Sequence, residues 1–512
     1  MLAYIDTQLE TITMYRLALW GLLGISIIAV FFSLTGIIFY GPGSLVASFV
    51  AIIAGAYVTN TLWAKLLNIS PNKESTIITA LILFLILAPV STMGDVGMNI
   101  LTAVIAISSK YVIQIHAKHL LNPAAAGAAI MTLIGLGTAS WWSTTTALLP
   151  FIVIAGLLTL RKIERFKMFS AFAITAVLMI LVTRMYSTGW LISPGEIVAT
   201  IIEAITSWPV LFLGFFMLTE PQTTPPTNRL QMIYGCLAGL IFGSSLHLGS
   251  FYATPEIALI VGNLFSYAVG SKRTTILIFK KKELVAKDTY HFSFEPDHKI
   301  RFKAGQYMEW TLPHDHSDSR GVRRYFTIAS SPEEKEVAIG IRVPREKPSS
   351  FKKALMALEP GDKLRSWHTS GDFVLPDDKA RGLVFVAGGI GITPFRSMIE
   401  HLKAIKEKRD IVLLYACNDS NSFAYLDQLK KDQESVGLTI IPIITSPENA
   451  TANWTGGIGH IDKAMIKEKI PSYPERYFYL SGPSAMVHAY EDLLLSLHIH
   501  HNHIKTDFFP GY

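Results

Sequence analysis

Two patterns of apolar and polar positions divide the chain. From Leu17 to about residue 270, long apolar runs follow one another, separated by short polar stretches. A helix that crosses a bilayer needs roughly 20 consecutive, mostly apolar residues. Ten stretches read this way: 17–39, 43–65, 76–92, 97–114, 121–137, 146–160, 168–184, 199–218, 230–248 and 254–270. Past Thr274 the period falls to two. The segments ILIFKKKELVAKDTYHFSFEP and IRFKAGQYMEWTLP alternate like antiparallel strands with turns between them. Further on, Leu383-Val-Phe-Val-Ala387 and Ile411-Val-Leu-Leu-Tyr-Ala416 are short, wholly apolar runs, as in strands buried on both faces. The expected architecture is a ten-helix α transmembrane domain over residues 1–273, an antiparallel β domain over 274–378 and an α/β parallel-sheet domain over 379–512.

Composition supports the division. Mean hydropathy is +0.37 and only 16% of residues are charged, against roughly a quarter in soluble domains. Residues 1–273 hold 13 Lys/Arg and 9 Asp/Glu, leaving 32 and 30 for residues 274–512. With ten spans and the N-terminus inside, the inner loops carry Arg16, Lys65, Lys73, Lys110, Lys118, Arg161, Lys162, Arg165, Lys167, Arg229, Lys272 and Arg273, and the outer loops only Arg184. Cytoplasmic loops favour Lys and Arg, so both termini, and everything past Lys272, are expected in the cytoplasm of a cell whose plasma (bacterial inner) membrane holds the spans. The first residues, MLAYIDTQLETITMYR, lack the basic n-region of a cleavable signal peptide. The net charge of +6 is largely this topology and implies no nucleic-acid partner. Two cysteines, Cys236 and Cys417, cannot hold an all-Cys iron–sulfur cluster.

Candidate chemistry gathers after Thr274. Gly305-Gln-Tyr307 precedes Arg324-Tyr325-Phe326-Thr327, and Ser349-Ser350-Phe351 starts a short helical stretch. Glu359-Pro-Gly-Asp362 and Gly371-Asp-Phe-Val-Leu-Pro376 follow. Gly388-Gly389-Ile-Gly391-Ile-Thr393-Pro394 then turns from a buried strand into a helix. Glycines at such a turn let a dinucleotide pyrophosphate approach backbone N–H groups at the helix N-terminus. Ser481-Gly482-Pro483 ends a later strand, and the chain closes on Asp507-Phe-Phe-Pro-Gly-Tyr512. In this order the motifs resemble those of the ferredoxin–NADP reductase superfamily. The resemblance implies a six-stranded β-barrel that binds FAD and a five-stranded parallel sheet that binds NAD(P)H. It also implies roles. Arg324 makes bidentate hydrogen bonds to the FAD pyrophosphate, Phe326 or Tyr325 stacks on the isoalloxazine, and Thr327 reaches flavin N5. Gly305 and Tyr307 lie on the strand that leads to the flavin, and backbone at Ser349 and Ser350 faces a phosphate. Thr393 lies near the nicotinamide. Ser481 stands where relatives carry Cys, which implies modestly slower hydride transfer. Tyr512, or another C-terminal aromatic, covers the flavin or simply ends the fold. Asp419, just past the second parallel strand, would repel a 2′-phosphate, and no arginine follows it, so NADH is expected over NADPH.

The membrane half carries a second resemblance. FFMLTEPQTTPPTNRLQMIYGCLAGLIFG and LNPAAAGAAIMTL resemble segments of the NqrB/RnfD family, membrane subunits of sodium-pumping NADH:quinone reductase and Rnf electron-transport complexes. The family has ten spans and a membrane-bound flavin. Its members attach FMN to a Thr in a Ser-Gly-Ala-Thr-type motif on the outer side. Ser143-Thr-Thr-Thr146-Ala-Leu148 is the nearest match here, with Thr146 as acceptor, although Thr-Thr replaces Gly-Ala and no aspartate precedes it. A Ser/Thr run also suits a helix N-cap. A second flavin, FMN or riboflavin, held without a covalent bond near Asn122, Thr219, Glu220 and Thr223 is the other expectation.

Three functions compete. The first is a one-chain electron wire from NAD(P)H through FAD to a membrane flavin, and on to a quinone, an exported flavoprotein or ferric iron. The second is a haem-containing ferric reductase. His116, His119 and His247 are the membrane half's only histidines and cannot form stacked bis-His haem sites, so no haem is expected. The third is a transporter or mere anchor joined to a flavin reductase, with Glu203 and Glu220 as its intramembrane acids.

Overall fold

The computed structural model describes residues 5–6, 8–9, 12–67, 73–115, 118–244, 246–248, 251–270, 274–315, 317–318, 321–450 and 454–507. The chain divides into two compact units. Residues 12–272 with 319–321 make one, and residues 1–11, 273–318 and 322–512 the other.

The first unit is helical: α1 (Met14–Leu34), α2 (Pro42–Leu67), α3 (Lys73–Ile86), α4 (Met93–Val112), α5 (Pro123–Leu133), α6 (Leu149–Ile163), α7 (Phe166–Ser187), α8 (Pro194–Thr206), α9 (Val210–Phe212, running on as a π-helical turn, Leu213–Met217), α10 (Asn228–Gly243) and α11 (Pro255–Val269). A helix lies on each apolar run, but only α1, α2 and α7 are long and apolar enough to cross a bilayer, or four spans if the bent pair α8–α9 counts as one. The others are shortened by breaks that the protein itself covers. The loop after α5 folds onto the end of α3, where Trp142 Nε1 donates to Phe84 O (2.8 Å), Ser143 N to Leu85 O (3.3 Å), and Ser140 N and Trp141 N to Ile86 O (2.9 Å each). Irregular backbone at membrane depth persists where protein satisfies its polar groups in this way. Side-chain caps start several helices: Asn122 before Pro123, Ser193 before Pro194 and Thr254 before Pro255. Gly235, Gly239 and Gly243, four residues apart, press α10 onto α7. A Cβ at each would come within 2.5 Å of the Met168, Phe172 and Ala176 carbonyls, a small-residue seam of the kind that packs membrane helices.

The second unit opens with six antiparallel strands: β1 (Thr275–Ala286), β2 (Thr289–Pro296), β3 (Tyr307–Thr311), β4 (Arg323–Thr327), β5 (Val337–Arg342) and β6 (Lys363–Ser370), with α12 (Ser350–Met356) between the last two. Their order is β4-β3-β6-β1-β2-β5. The inward faces of Phe279, Phe292, Phe294, Met308, Trp310 and Ile339 fill the core. The ladder does not close between β4 and β5. One bond just beyond them, Ala329 N to Ala338 O (2.7 Å), spans that seam.

A parallel sheet follows: β7 (Leu383–Gly388), α13 (Thr393–Ala404), β8 (Ile411–Cys417), α14 (Leu426–Val436), β9 (Leu438–Ile444), β10 (Gly457–Ile458), α15 (Lys463–Lys469), β11 (Tyr477–Ser481), α16 (Ser484–Leu495) and β12 (Ile504–Asp507), in the order β10-β9-β8-β7-β11-β12. Every residue of β7 and β8 is buried, as expected of strands covered on both faces. Six strands replace the five expected, because β10 is two residues long and leaves no pattern in the sequence.

Candidate functional site

Most of the residues singled out after Thr274 converge where β7 meets α13. Gly389 adopts φ +54 with open space on the side where a Cβ would stand, so its conformation and the room beside it both suit glycine. Gly391 lies directly under the β11 turn, and a Cβ there would overlap the Ser481 carbonyl and the Gly482 amide nitrogen. Gly388 faces Pro483 and Met486 at a distance that equally admits no Cβ. Two loops distant in sequence are thus locked together by glycines. Thr393 is buried, begins α13 just before Pro394, and donates its hydroxyl to Ile390 O at 3.1 Å.

On the barrel side, Tyr307 pairs with Thr327, Met308 with Phe326, and Glu309 with Tyr325 across β3 and β4. Arg324 and Phe326 lie against one ring, Phe351: the guanidinium is 5.3 Å from its centroid and the Phe326 ring 5.7 Å. A pyrophosphate-binding fork and an aromatic plate therefore share one side of β4. The Tyr325 hydroxyl is engaged by Glu309 Oε2 at 2.7 Å. Arg324 Nη2 donates to Asp318 Oδ1 at 2.9 Å, a carboxylate oxygen in the place a phosphate oxygen of FAD would take. Ser349 caps α12 by accepting from Lys352 N (3.3 Å), while the Ser350 hydroxyl accepts from Asp318 N (2.9 Å). Gly305, at φ +95, brings its backbone against Phe373 O and Met398.

The barrel and the parallel sheet are stitched beside these motifs. Arg396 Nη1 donates to Ala329 O (2.5 Å) and the Ser397 hydroxyl to Ser330 O (2.6 Å), both just past Thr327. The donor arrangement fits FAD on the barrel and a nicotinamide dinucleotide over the glycine turn.

Asp507 went unread as a site residue. It pairs with Ser481 across β11 and β12, and burial pushes its carboxyl up to about 7 against the opposing effect of a hydrogen bond from the Ser481 hydroxyl. Only the parallel register of β12 reveals it, since one acid near a C-terminus has no signature. Tyr512 lies outside the described residues. Asp419 is held by the Ser422 hydroxyl (2.9 Å), Asn421 N (3.0 Å) and Lys287 Nζ (3.2 Å). Burial works to raise its carboxyl, and the Ser422 and Lys287 interactions outweigh this and leave it below the usual range.

In the helical unit, Asn122 and Glu220 meet, with Asn122 Nδ2 donating to Glu220 Oε2 at 2.9 Å. The other Glu220 oxygen is 2.9 Å from His119 Nε2. Asn122 N donates to Asn263 Oδ1 (2.8 Å), whose amide donates to the Tyr234 hydroxyl (3.0 Å). Thr223 donates to Glu220 O (3.3 Å) and Thr219 to Phe215 O (2.6 Å) in the π-helical turn. Sequence reading found four members of this cluster and missed His119, Asn263 and Tyr234, which reach it from other segments. Glu203 is exposed on α8. The deeply buried acid is Glu256, 1% exposed, with Trp141 Nε1 donating to it at 2.9 Å. Thr146 is exposed, in a turn ahead of α6. The Ser/Thr run does not cap α6, whose N-cap residue is Leu148, with no side-chain bond.

The family described as the oxidoreductase NAD-binding domain matches residues 385–492. The NADH-oxidising relatives include one component of the Na(+)-translocating NADH-quinone reductase of Mannheimia succiniciproducens, which is 30% identical over 205 residues, covering 37% of this chain and 49% of that protein. The corresponding component from Pseudomonas aeruginosa is 29% identical over 204 residues. The chain thus spans about half the length of the curated relatives it matches, and these matches fall on its C-terminal part. The FAD/NAD-binding domain of nitric oxide dioxygenase from Vibrio cholerae covers 46% of this chain and 98% of its own at 19% identity, with a TM-score of 0.41. The C-terminal part of the chain is a ferredoxin–NADP reductase-like FAD- and NAD-binding module, an NAD(P)H-dependent oxidoreductase unit.

Proposed function

We propose that this chain oxidises NADH in the cytoplasm and passes the electrons through FAD into its own membrane half. There they reach a second flavin, FMN or riboflavin, and then a quinone or an acceptor beyond the membrane. The observation that carries the reading is the junction of motifs: Thr327 at the end of β4, with Thr393 on the helix that Arg396 and Ser397 pin to Ala329 and Ser330. Bound FAD supplies the conversion between hydride and one-electron chemistry. The protein's own contribution is positional. Arg324 exchanges Asp318 for the pyrophosphate, Phe326 (or Tyr325) backs the isoalloxazine, and Thr327 points a hydroxyl at N5. Gly388, Gly389 and Gly391 admit the dinucleotide pyrophosphate, with Gly482 and Pro483 closing that side. Thr393 and Ser481 flank the nicotinamide, and Asp507 holds a proton against the Ser481 hydroxyl. Asp419 favours NADH over NADPH.

The membrane half is proposed as an NqrB/RnfD-like domain of ten spans over residues 1–273, both ends cytoplasmic, on the strength of the helices seated on each apolar run and the distribution of Lys and Arg. The FAD barrel then covers 274–378 and the nucleotide domain 379–512. The cluster of Asn122, Thr219, Glu220 and Thr223 offers amide, hydroxyl and carboxylate partners suited to a flavin ring, and Thr146 is accessible for covalent attachment. The relatives that match the C-terminal module belong to NADH-quinone reductases, which favours a quinone as acceptor. The test is anaerobic addition of NADH to detergent-purified full-length protein, followed by a water-soluble quinone. Bleaching of flavin absorbance and its recovery with quinone are expected. Bleaching that no quinone, exported flavoprotein or ferric chelate reverses would favour the anchor or transporter reading.

A further inference from the structure

The reading of the module as an NADH-oxidising unit leaves one buried contact between barrel and nucleotide sheet without a role. His291 on β2 and Gly340 on β5 are cross-strand partners, and both face Tyr425. The Tyr425 hydroxyl is 3.0 Å from His291 Nδ1, with the two rings perpendicular at 5.7 Å. A Cβ on Gly340 would lie 2.7 Å from that hydroxyl and 2.8 Å from Thr393 Cγ2. The barrel strand therefore touches Tyr425 and the nicotinamide-side threonine at one point. Tyr425 adopts φ +61 at the start of α14, a conformation uncommon in aromatic residues and kept where the surroundings impose it. From the far side the Arg396 guanidinium sits over its ring at 5.2 Å, the same arginine that holds Ala329 O. Both partners are buried. Burial, reinforced by Arg396, lowers the His291 imidazole to about 4, so it is neutral near pH 7. With its proton on Nε2, Nδ1 accepts from the tyrosine hydroxyl.

We propose that Tyr425 is a positioning residue for hydride transfer, a fixed stop between barrel and nucleotide sheet that sets how closely the nicotinamide beside Thr393 approaches the flavin beside Thr327. Hydride transfer depends steeply on that separation, and a displacement of about 1 Å costs on the order of a hundredfold in rate. Binding of NADH through the glycine turn does not depend on it. Loss of the stop therefore lowers the rate of the chemical step and leaves nucleotide affinity nearly unchanged.

The experiment follows FAD bleaching by stopped flow in full-length holoprotein, with NADH and with NADH deuterated at the transferred position. Tyr425→Phe is expected to slow bleaching at saturating NADH by roughly tenfold or more, with the half-saturating NADH concentration within about threefold and a larger deuterium isotope effect. His291→Leu should do the same, whereas His291→Asn, which returns an acceptor near the Nδ1 position, should recover most of the rate. The double variant Tyr425→Phe/His291→Leu leaves no buried group unpaired, so it should regain thermal stability but not rate. Unchanged rate and isotope effect in Tyr425→Phe, or recovery of rate along with stability in the double variant, would reduce the contact to a structural one. If Tyr425→Phe fails to fold, the His291→Leu and His291→Asn pair decides alone, because equal rates in the two overturn the proposal. Failure of NADH to bleach the unaltered holoprotein would overturn the oxidase reading and this proposal together.

Discussion

Replacing Asp507 by Asn converts a buried ionisable group into a permanently neutral one of nearly the same shape. Its carboxyl rises from 3.8 to about 7 in the fold. At about 1.4 kcal/mol per pH unit this comes to about 4 kcal/mol, an upper figure for the cost of keeping the ionised form there. The sign follows from proton counting. Between about pH 4 and 7 the folded protein holds a proton that the unfolded chain has lost, so stability falls as pH rises through that window and stays low above it. The Asn variant carries no such cost. It should match the parent near pH 4 and exceed it at pH 8, by up to about 10 °C in melting temperature for a unit of this size. Thermal unfolding of the purified holoprotein, read by tryptophan fluorescence at both pH values, measures this. The rate of FAD bleaching by NADH should also lose the pH dependence centred near 7 that the parent shows. A variant no more stable than the parent at pH 8, with the same pH–rate profile, would show that Asp507 is ionised and solvated in the fold.

Four other substitutions test separate parts of the site. Arg324→Ala should yield protein without FAD and without NADH oxidation, measured by released flavin and NADH consumption; retained FAD with full activity would refute its role. Gly391→Ala drives a methyl into the Ser481 carbonyl and should cost several kcal/mol of stability and abolish NADH oxidation, while FAD stays bound through Arg324. Asp419→Ser removes the carboxylate but leaves Lys287 in place, and should raise NADPH use relative to NADH about tenfold, on the order of one charge interaction, as read from kcat/KM for each. Thr146→Val should remove any gel-stable flavin fluorescence without altering FAD content, and no change would leave that loop a plain turn.

How much of this was legible depends on whether the signal was local. The strand periods around Phe292 and Trp310, the apolar runs of β7 and β8, and the order of Arg324, Gly388–Pro394 and Ser481–Pro483 are written in adjacent residues. They were readable because strand burial and backbone approach impose local composition. The members of the clusters contributed from elsewhere were not. His119, Asn263 and Tyr234 meet Glu220 only through helix packing, and Asp507 meets Ser481 only through strand register. His291 and Tyr425 are 134 residues apart. Helix length in the membrane half was also hidden. Apolar composition carries on across breaks at residues 86–92 and 134–148, where the loop carrying Trp141 and Trp142 is itself buried. Hydropathy thus counts runs but does not see that a helix has stopped. The seam of Gly235, Gly239 and Gly243 was present in the sequence as a four-residue repeat and pointed to close helix packing.

The central claim is that electrons leave the FAD module for a second flavin within the same chain. The most direct measurement is the flavin content per chain of detergent-purified protein, before and after acid denaturation, with in-gel fluorescence. Two flavins are predicted, one FAD and one FMN or riboflavin, with a fluorescent protein band if Thr146 is the attachment point. One FAD per chain and no other flavin would contradict the claim and leave the membrane half an anchor or a transporter.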